Sequence, residues 1–549
     1  MALNNVTFFR SKTGLGQTLP GQDFISAMVL YSNTYPSGFN VNNKIKQVFS
    51  VADAENLGID TDYSDEVKAT GGNVAITLKG AAGDIDSIFF AGVLLGQVTV
   101  PATPYADATA EAVALRAAIN ANTQYHGFSS AGSTYNVTIV PPTGWGKAAI
   151  TVSITFTSVA AIGGAGTATA TVTQLTTATG SQFAVWHKKI SDFFEINPNG
   201  QLYVGVFPVP TYSGAEITTM QNYSQGTIRQ MIVSLDGVAF ASSQVTATQA
   251  VATTLQAAHK PVSNIIVDAD LSAGSLAALS DLATLSCNNV SVAIHAEGNY
   301  YEAAYSATAG YSTGDKVTWG AGCYQAIQSS LGQSVWNTQY WTLIQPNLKV
   351  IMGYSVSGAG NLLGAISIAS VSDCIAWPEK FNVSIGTDYD NPGFVTGDLL
   401  RNVTDTQLGA INDQHYIFLH KIVGLSGSFF NDSWTAIAKT NDFCFIEKNR
   451  TMDKAERGVY AAIIPKLASP LYVNADGTLT VDTIAIWENL CTIPLDAMVT
   501  AKELSAMKVT IPDNQNVIST SQIQITIQEI PTGIARNIII NDGFTTQIK

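Results

Sequence analysis

Apolar and polar residues alternate along 521–530, where Ile523, Ile525 and Ile527 are set apart by Gln524 and Thr526, and a second apolar run follows at Ile538, Ile539 and Ile540. A period of two is that of a strand with one face buried. The expected structure of 521–549 is therefore a C-terminal β-arm. Open apolar edges invite association, and a neighbouring copy that adds its own strand is the natural partner. The first 30 residues mix turn formers (Gly14, Gly16, Pro20, Gly21) with extended stretches at 6–9 and 25–30. They read as an N-terminal arm leading into a strand.

The middle of the chain has a different rhythm. Strands are expected at 201–207, 230–234, 263–267 and 290–295, separated by helices at 215–224, 243–257 and 271–285. Strands alternating with helices of about a dozen residues imply a partly parallel sheet with helices on its faces. A short helix is expected within 47–58, with Ser50 as N-cap and Gly58 as stop. Further helices are expected at 362–370, 452–467 and 480–498, and a strand at 415–421.

Two segments interrupt this text. Between 73 and 183, Thr, Ala, Val and Gly dominate and strand-like runs recur at 74–78, 137–140, 150–156 and 168–172. One helix, 107–120, carries Ala108, Ala112, Leu115 and Ile119 as a single apolar stripe. At 299–346 tyrosines and tryptophans crowd together; so short a segment cannot enclose them all, and they must be exposed or pack on one another. The expected division is 1–72 as arm and start of the core, 73–183 as an inserted β-rich domain, and 184–298 as α/β core. The aromatic insertion at 299–346, the continued core with C-terminal helices at 347–520, and the arm at 521–549 complete it. The fold class is α/β (α+β), multidomain.

Composition narrows the function. Hydrophobic residues make up 46% of the 549 but charged ones only 12%, so the surface is short of charge and easily covered by a partner. A net charge of -14 and a pI near 4.8 argue against nucleic acid, which needs a dense Lys/Arg face. Five scattered cysteines without a CxxC suggest neither a disulfide framework nor a zinc knuckle, and synthesis in a reducing bacterial cytoplasm fits. No signal peptide and no membrane span is read, every apolar run being far below the roughly 20 residues a span needs.

Candidate chemistry is sparse. Gly358-Ala-Gly360-Asn-Leu-Leu-Gly364 has the spacing GxGxxxG with no acidic residue at the expected distance, and reads as close packing at a helix start. Pro142-Thr-Gly144-Trp-Gly146-Lys147 ends like a phosphate loop but lacks its first glycine and its Ser or Thr, and reads as a turn. Asp268 and Asp270 follow a strand, where a metal-binding carboxylate pair or a helix cap is expected. His415 and His420 lie five apart on an expected strand and so point to opposite faces. No catalytic residue, cofactor or metal is assigned.

In the aromatic segment, Tyr311-Ser-Thr-Gly314-Asp315-Lys-Val317-Thr-Trp319, then Tyr324-Gln-Ala326, then Trp336 and Trp341, resembles the small chitin-binding-type modules of secreted chitinases. The resemblance implies stacking on sugar rings and makes Tyr311, Trp319, Tyr324, Trp336 and Trp341 candidate glycan contacts. A purely structural decoration is the favoured reading of the segment, and glycan contact the alternative.

Three further stretches, taken together, resemble the sheath subunits of contractile phage tails and related injection machines. They are the opening Leu3-Asn-Asn-Val-Thr-Phe-Phe with Gly14-Leu-Gly16 and Asp23-Phe-Ile-Ser-Ala-Met-Val; the run Asn441-Asp-Phe-Cys-Phe-Ile446, Asn449-Arg450-Thr451-Met452 and Arg457-Gly-Val-Tyr-Ala-Ala-Ile-Ile leading to the helix around Trp487; and the β-rich tail. The resemblance implies a sheath-type core with the two insertions on its outside, and termini that complete a small sheet of neighbouring subunits. Val6, Phe8, Ile523, Ile525, Ile527, Ile538, Ile540 and Phe544 are then the candidate strand-exchange residues. It further implies hexameric rings stacked around an inner tail tube, with baseplate and tail terminator proteins as partners, in a virion tail or an injection particle. Contraction becomes a switch between two packings that drives the tube through a target cell envelope, with no active site. Two other readings remain at this stage: an adhesin that binds host-surface glycan through 299–346, and a sugar-active enzyme using Asp268 and Asp270.

Overall fold

The computed structural model describes residues 22–68, 72–75, 82–90, 93–147, 154–159, 165–169, 178–208, 212–540 and 542–544. The strands of the α/β text join into one six-stranded sheet. Its order is Val290–Ala293, Asn264–Asp270, Gln230–Ala239, Ile25–Tyr31, Gln201–Phe207 and Ile45–Val48; the first five run parallel and the last antiparallel.

Ile25–Tyr31 lies in the middle and is buried along its whole length, as a strand covered on both faces must be. Its residues alternate between two layers. Met28 and Leu30 join the core under helices Gln182–Ile196 and Ala359–Ile368, while Ala27, Val29 and Tyr31 join the core under Ala215–Tyr223 and Ser242–Ala257. The first two helices approach closely because Gly360 and Gly364 face Lys189 and Phe193; a Cβ on Gly360 would collide with the Lys189 carbonyl oxygen. The glycine run at 358–364 thus serves packing.

Local chemistry explains the helix starts. Ser50 caps Val51–Asn56 by accepting from the Asp53 amide, Asp107 caps Ala108–Ala121 from Ala110, and Thr480 caps Val481–Thr500 from Thr483.

Several expected elements differ. The helix at 271–285 is replaced by two short 3-10 turns, Leu276–Ala278 and Leu282–Thr284, because Ser275 and Asp281 bond the amides of Ala277 and Ala283 and close each turn locally. Leu276, Leu279 and Leu282 still reach the core. The strand at 290–295 breaks at Ile294: Val290–Ala293 stays in the main sheet, and His295–Glu297 pairs with Pro392–Phe394. The strand at 415–421 shrinks to Leu419–His420, since His415 turns the chain at φ +66. The helix expected at 452–467 begins earlier, as Ile446–Ile463. Its first turns hold Glu447, Asn449, Arg450 and Thr451, polar residues outside the expected helix that are buried with partners: Arg450 donates to the carbonyls of Ala369 and Ser370. The boundary expected at 183/184 falls inside helix Gln182–Ile196.

The two insertions share one core. Strands Val93–Thr99, Ile85–Phe90, Ile154–Val159 and Ala165–Thr169 form one antiparallel sheet, and Gly72–Ala75, Asn136–Val140 and Ser129–Ala131 another. Phe90, Phe128 and Trp145 from this unit enclose Trp319 from the aromatic segment, with ring centroids 4.9 to 6.1 Å apart. Edge-to-face packing of that kind suits aromatic quadrupoles.

Candidate assembly site

Helices Ile446–Ile463 and Val481–Thr500 pack through Ala455 and Val459 against Cys491, Leu495 and Met498. On this pair lies a two-stranded antiparallel ribbon, Leu504–Thr510 with Thr526–Pro531, in register from Thr510 opposite Thr526 to Ala506 opposite Ile530, with a bulge at Ser505 before Leu504 meets Pro531. Met507, Val509, Ile525 and Ile527 lean on the helix pair, while Ser505 and Gln528 face outward.

The period-two pattern therefore has a different meaning from the one expected. Strand Thr526–Pro531 is paired within its own chain, and Ile525 and Ile527 serve the subunit's own small core. Among the described residues the ribbon has only two strands, so each keeps one edge free of a ladder. Two strands alone are marginal in water and gain from added ones.

Ile523 lines a groove of about 880 Å³ at the far end of the helix pair, with Ile463, Leu467, Leu471, Trp487 and Ile518. Beyond the ribbon, 532–536 runs over the surface between two clefts, and Arg536 is bound there by Asp432 and Glu447. The apolar residues that follow are uncovered: Ile538 is 76% exposed, Ile539 79%, Ile540 82% and Phe544 fully so. An apolar run left in water marks an interaction segment. Val6 and Phe8 lie outside the described residues. Asp23, which precedes the central strand, is tied to Lys454 and Arg457 of the first C-terminal helix at 2.9 and 2.6 Å.

The candidate glycan residues are placed differently. Trp319, Tyr324 and Trp341 are buried, so their faces are used inside the protein and offer no platform to a sugar ring. Trp341 stands edge-on to Tyr311 at 5.0 Å and donates from Nε1 to the Gln333 carbonyl, while Trp336 packs on Trp319 at 5.3 Å. A forty-residue segment holds so many aromatics because it shares their burial with the neighbouring β-unit.

The other candidates have internal partners. Asp268 meets the ammonium of buried Lys189 at 2.5 Å, which also pairs with Asp236 at 2.6 Å, and Asp270 accepts from the Ser272 amide. The expected carboxylate pair is thus an ion-pair member and a turn cap. The amides of Gly144 and Gly146 both donate to the Glu66 carboxylate, so the turn at 142–147 cradles a side chain of its own chain. His415 stacks on Trp434 at 3.9 Å, and burial lowers its pKa. Asp192, Glu195 and Asp388 come close enough together to hold a cation, but Lys188 already bonds Asp192 at 2.7 Å and Asp388 at 2.5 Å.

Sequence reasoning missed Arg536 and its acidic partners. The one signal was a lone arginine, the last in the chain, set in an otherwise apolar and small-residue run.

Comparison with known proteins places these elements beside others. Residues 442–549, which hold the helix pair, ribbon and tail, match the family model described as DUF2586, C-terminal domain. No curated protein matches. Among solved structures, the chain is similar to one from the anti-feeding prophage baseplate (14% identity, TM-score 0.40, covering 66% of this chain and 80% of that one). It is similar to one from the sheath complex of the extracellular contractile injection system PVC in its contracted state (12%, TM-score 0.38, 66% and 80%). A third is the sheath tail protein Lin1278 from Listeria innocua (7%, TM-score 0.34, 92% and 94%).

Proposed function

We propose that this protein is a structural subunit of a contractile tail sheath, polymerising through its C-terminal ribbon and tail. One observation carries the reading: among the described residues, a two-stranded ribbon with open edges is followed along the chain by the uncovered Ile538, Ile539 and Ile540. Tail and ribbon are different patches of one chain, so tail-on-ribbon contact is heterologous. Such contact gives rings or open helical filaments rather than closed dimers. Main-chain pairing supplies the link, and alternate side chains supply the register.

In this role the subunit stores free energy in its packing and acts without catalysis. The rest of the proposal follows the resemblance: hexameric rings around an inner tube, baseplate and terminator proteins at the ends, and location in a tail or injection particle assembled in a bacterial cytoplasm. Among the described residues no helix is long and apolar enough to cross a membrane.

The test is electron microscopy of the purified full chain against a truncation that ends at Pro531. A cut at 521 would also remove the strand Thr526–Pro531 and open the subunit's own ribbon. Regular tubes or rings from the full chain, absent from the truncation, are expected. Monodisperse monomer from the intact chain at high concentration would overturn the reading.

A further inference from the structure

Arg536 sits where the described chain changes from bound to uncovered. Its Nε donates to both oxygens of Asp432, at 2.9 and 3.1 Å, and its Nη2 donates to the Ser433 hydroxyl at 3.1 Å and to Glu447. Nη2 also lies 3.7 Å from the Cys374 sulfur. The guanidinium carbon is 3.4 Å above the centre of the Phe445 ring. Ser433 in turn donates to the second oxygen of Glu447 at 2.6 Å, so the socket is held in shape by a bond of its own.

These groups come from three separate places: the 372–374 turn, the 432–434 segment and the start of helix Ile446–Ile463. A cleft of about 600 Å³ lined by Trp377, His420 and Phe430 lies on one side of the tail, and one of about 340 Å³ lined by Phe445, Lys448 and Thr451 on the other. The rest of 532–536 is small or half-buried, so the arginine is its main tie. A planar fork that meets two carboxylates and an aromatic face fixes direction as well as position.

We propose that Arg536 is the anchor of the assembly arm: the socket of Asp432, Ser433, Glu447 and Phe445 fixes where the chain leaves its own subunit, and so aims residues 537–540 at a neighbour. The aiming part rests on the assembly reading above; the anchoring part does not. An arm launched from a fixed point loses less freedom when it docks than one free from Pro531 onward. Its target is a second copy of this chain.

The experiment compares full-length wild type with Arg536→Ala and Arg536→Lys by the rate of thermolysin cleavage before Ile534 in the monomer, and by the critical concentration for polymer in sedimentation. In Arg536→Ala, cleavage at that bond should speed up by roughly ten- to a hundredfold, and the critical concentration should rise about tenfold or more. The lysine variant, a point charge without a fork, should fall between. Asp432→Asn repeats the test from the other side of the socket, with thermal melting as the check that each variant is folded. Unchanged cleavage before Ile534 in folded Arg536→Ala overturns the anchor. Faster cleavage with an unchanged critical concentration overturns the aiming. Wild type that never polymerises overturns the aiming together with the assembly reading, and the cleavage result still decides the anchor.

Discussion

Arg457 pairs with Asp23 at 2.6 Å across 434 residues of sequence. Lys454, one turn earlier on the same helix, bonds Asp23 at 2.9 Å and Glu503 at 2.6 Å. Glu503 immediately precedes the ribbon strand Leu504–Thr510, and Asp23 precedes the central sheet strand Ile25–Tyr31. One ionic knot therefore joins the core sheet, the C-terminal helix pair and the ribbon.

Removing Asp23 should loosen that joint. Burial pushes its carboxyl up, but Lys454 and Arg457 outweigh burial and leave its pKa below the ordinary 3.8. A depressed pKa in the fold means that its stabilisation is present above the unfolded value and is lost as the pH falls through the folded one. Asp23→Ala should cost about 1–3 kcal/mol in urea unfolding at pH 7. The cost should stay level down to about pH 5 and shrink below about pH 4.

Asp453, on the same helix, should behave in the opposite sense. It is almost fully buried and one of its oxygens has no hydrogen-bond partner. Burial raises its pKa to about 6, against the bond from Ser263 and the charges of Arg457 and Arg229. Its ionised form thus opposes folding above that value, and protonation between about pH 6 and 4 favours it. Asp453→Asn should gain roughly 1–3 kcal/mol at pH 7, with the gain fading by about pH 4. A variant less stable than wild type at pH 7 would mean that the neighbouring arginines hold the carboxylate ionised.

Lys189 is a buried cation of the core, between Asp236 and Asp268. Lys189→Met should cost about 3–5 kcal/mol, because two buried carboxylates lose their counter-charge. Adding Asp236→Asn and Asp268→Asn should recover much of this loss, since the isolated charge and not the missing contact is the cost. Thermal and chemical unfolding of the single and triple variants measures the difference.

The α/β core was legible in the sequence because its central strands are mostly apolar runs and its helices carry apolar residues at helical spacing, even where, as in Ala215–Tyr223 and Ser242–Ala257, no side chain caps the helix. Strand Gln201–Phe207 coincides with its expected bounds, and helix Ser242–Ala257 begins one residue early. The misses share a cause. At 271–285, Ser275 and Asp281 supplied local caps that no apolar period reveals. At 446–451, polar residues are buried because partners far along the chain, such as the carbonyls of Ala369 and Ser370, satisfy them. The aromatics of 299–346 left mutual packing and glycan contact both open in the sequence, and only the fold brings Phe90, Phe128 and Trp145 onto Trp319. In the tail, alternation told strand from helix correctly at 526–531, but periodicity is silent on whether the partner is the same chain or another.

That distinction sets the last prediction. Ile525 and Ile527 are half-buried on the subunit's own helix pair, whereas Ile538 and Ile540 are 76% and 82% exposed. A charge at the first pair should destabilise the monomer; a charge at the second should not, because nothing within the described chain covers it. Ile538→Asp with Ile540→Asp should leave monomer stability within about 0.5 kcal/mol and abolish polymer. Ile527→Asp should cost about 2–4 kcal/mol before any assembly is measured. Thermal melting of dilute protein and sedimentation of concentrated protein separate the two effects. Tubes from the Ile538→Asp, Ile540→Asp variant at the wild-type concentration would show that the exposed isoleucines are not the link, and would shift the search to the apolar groove beside Ile523.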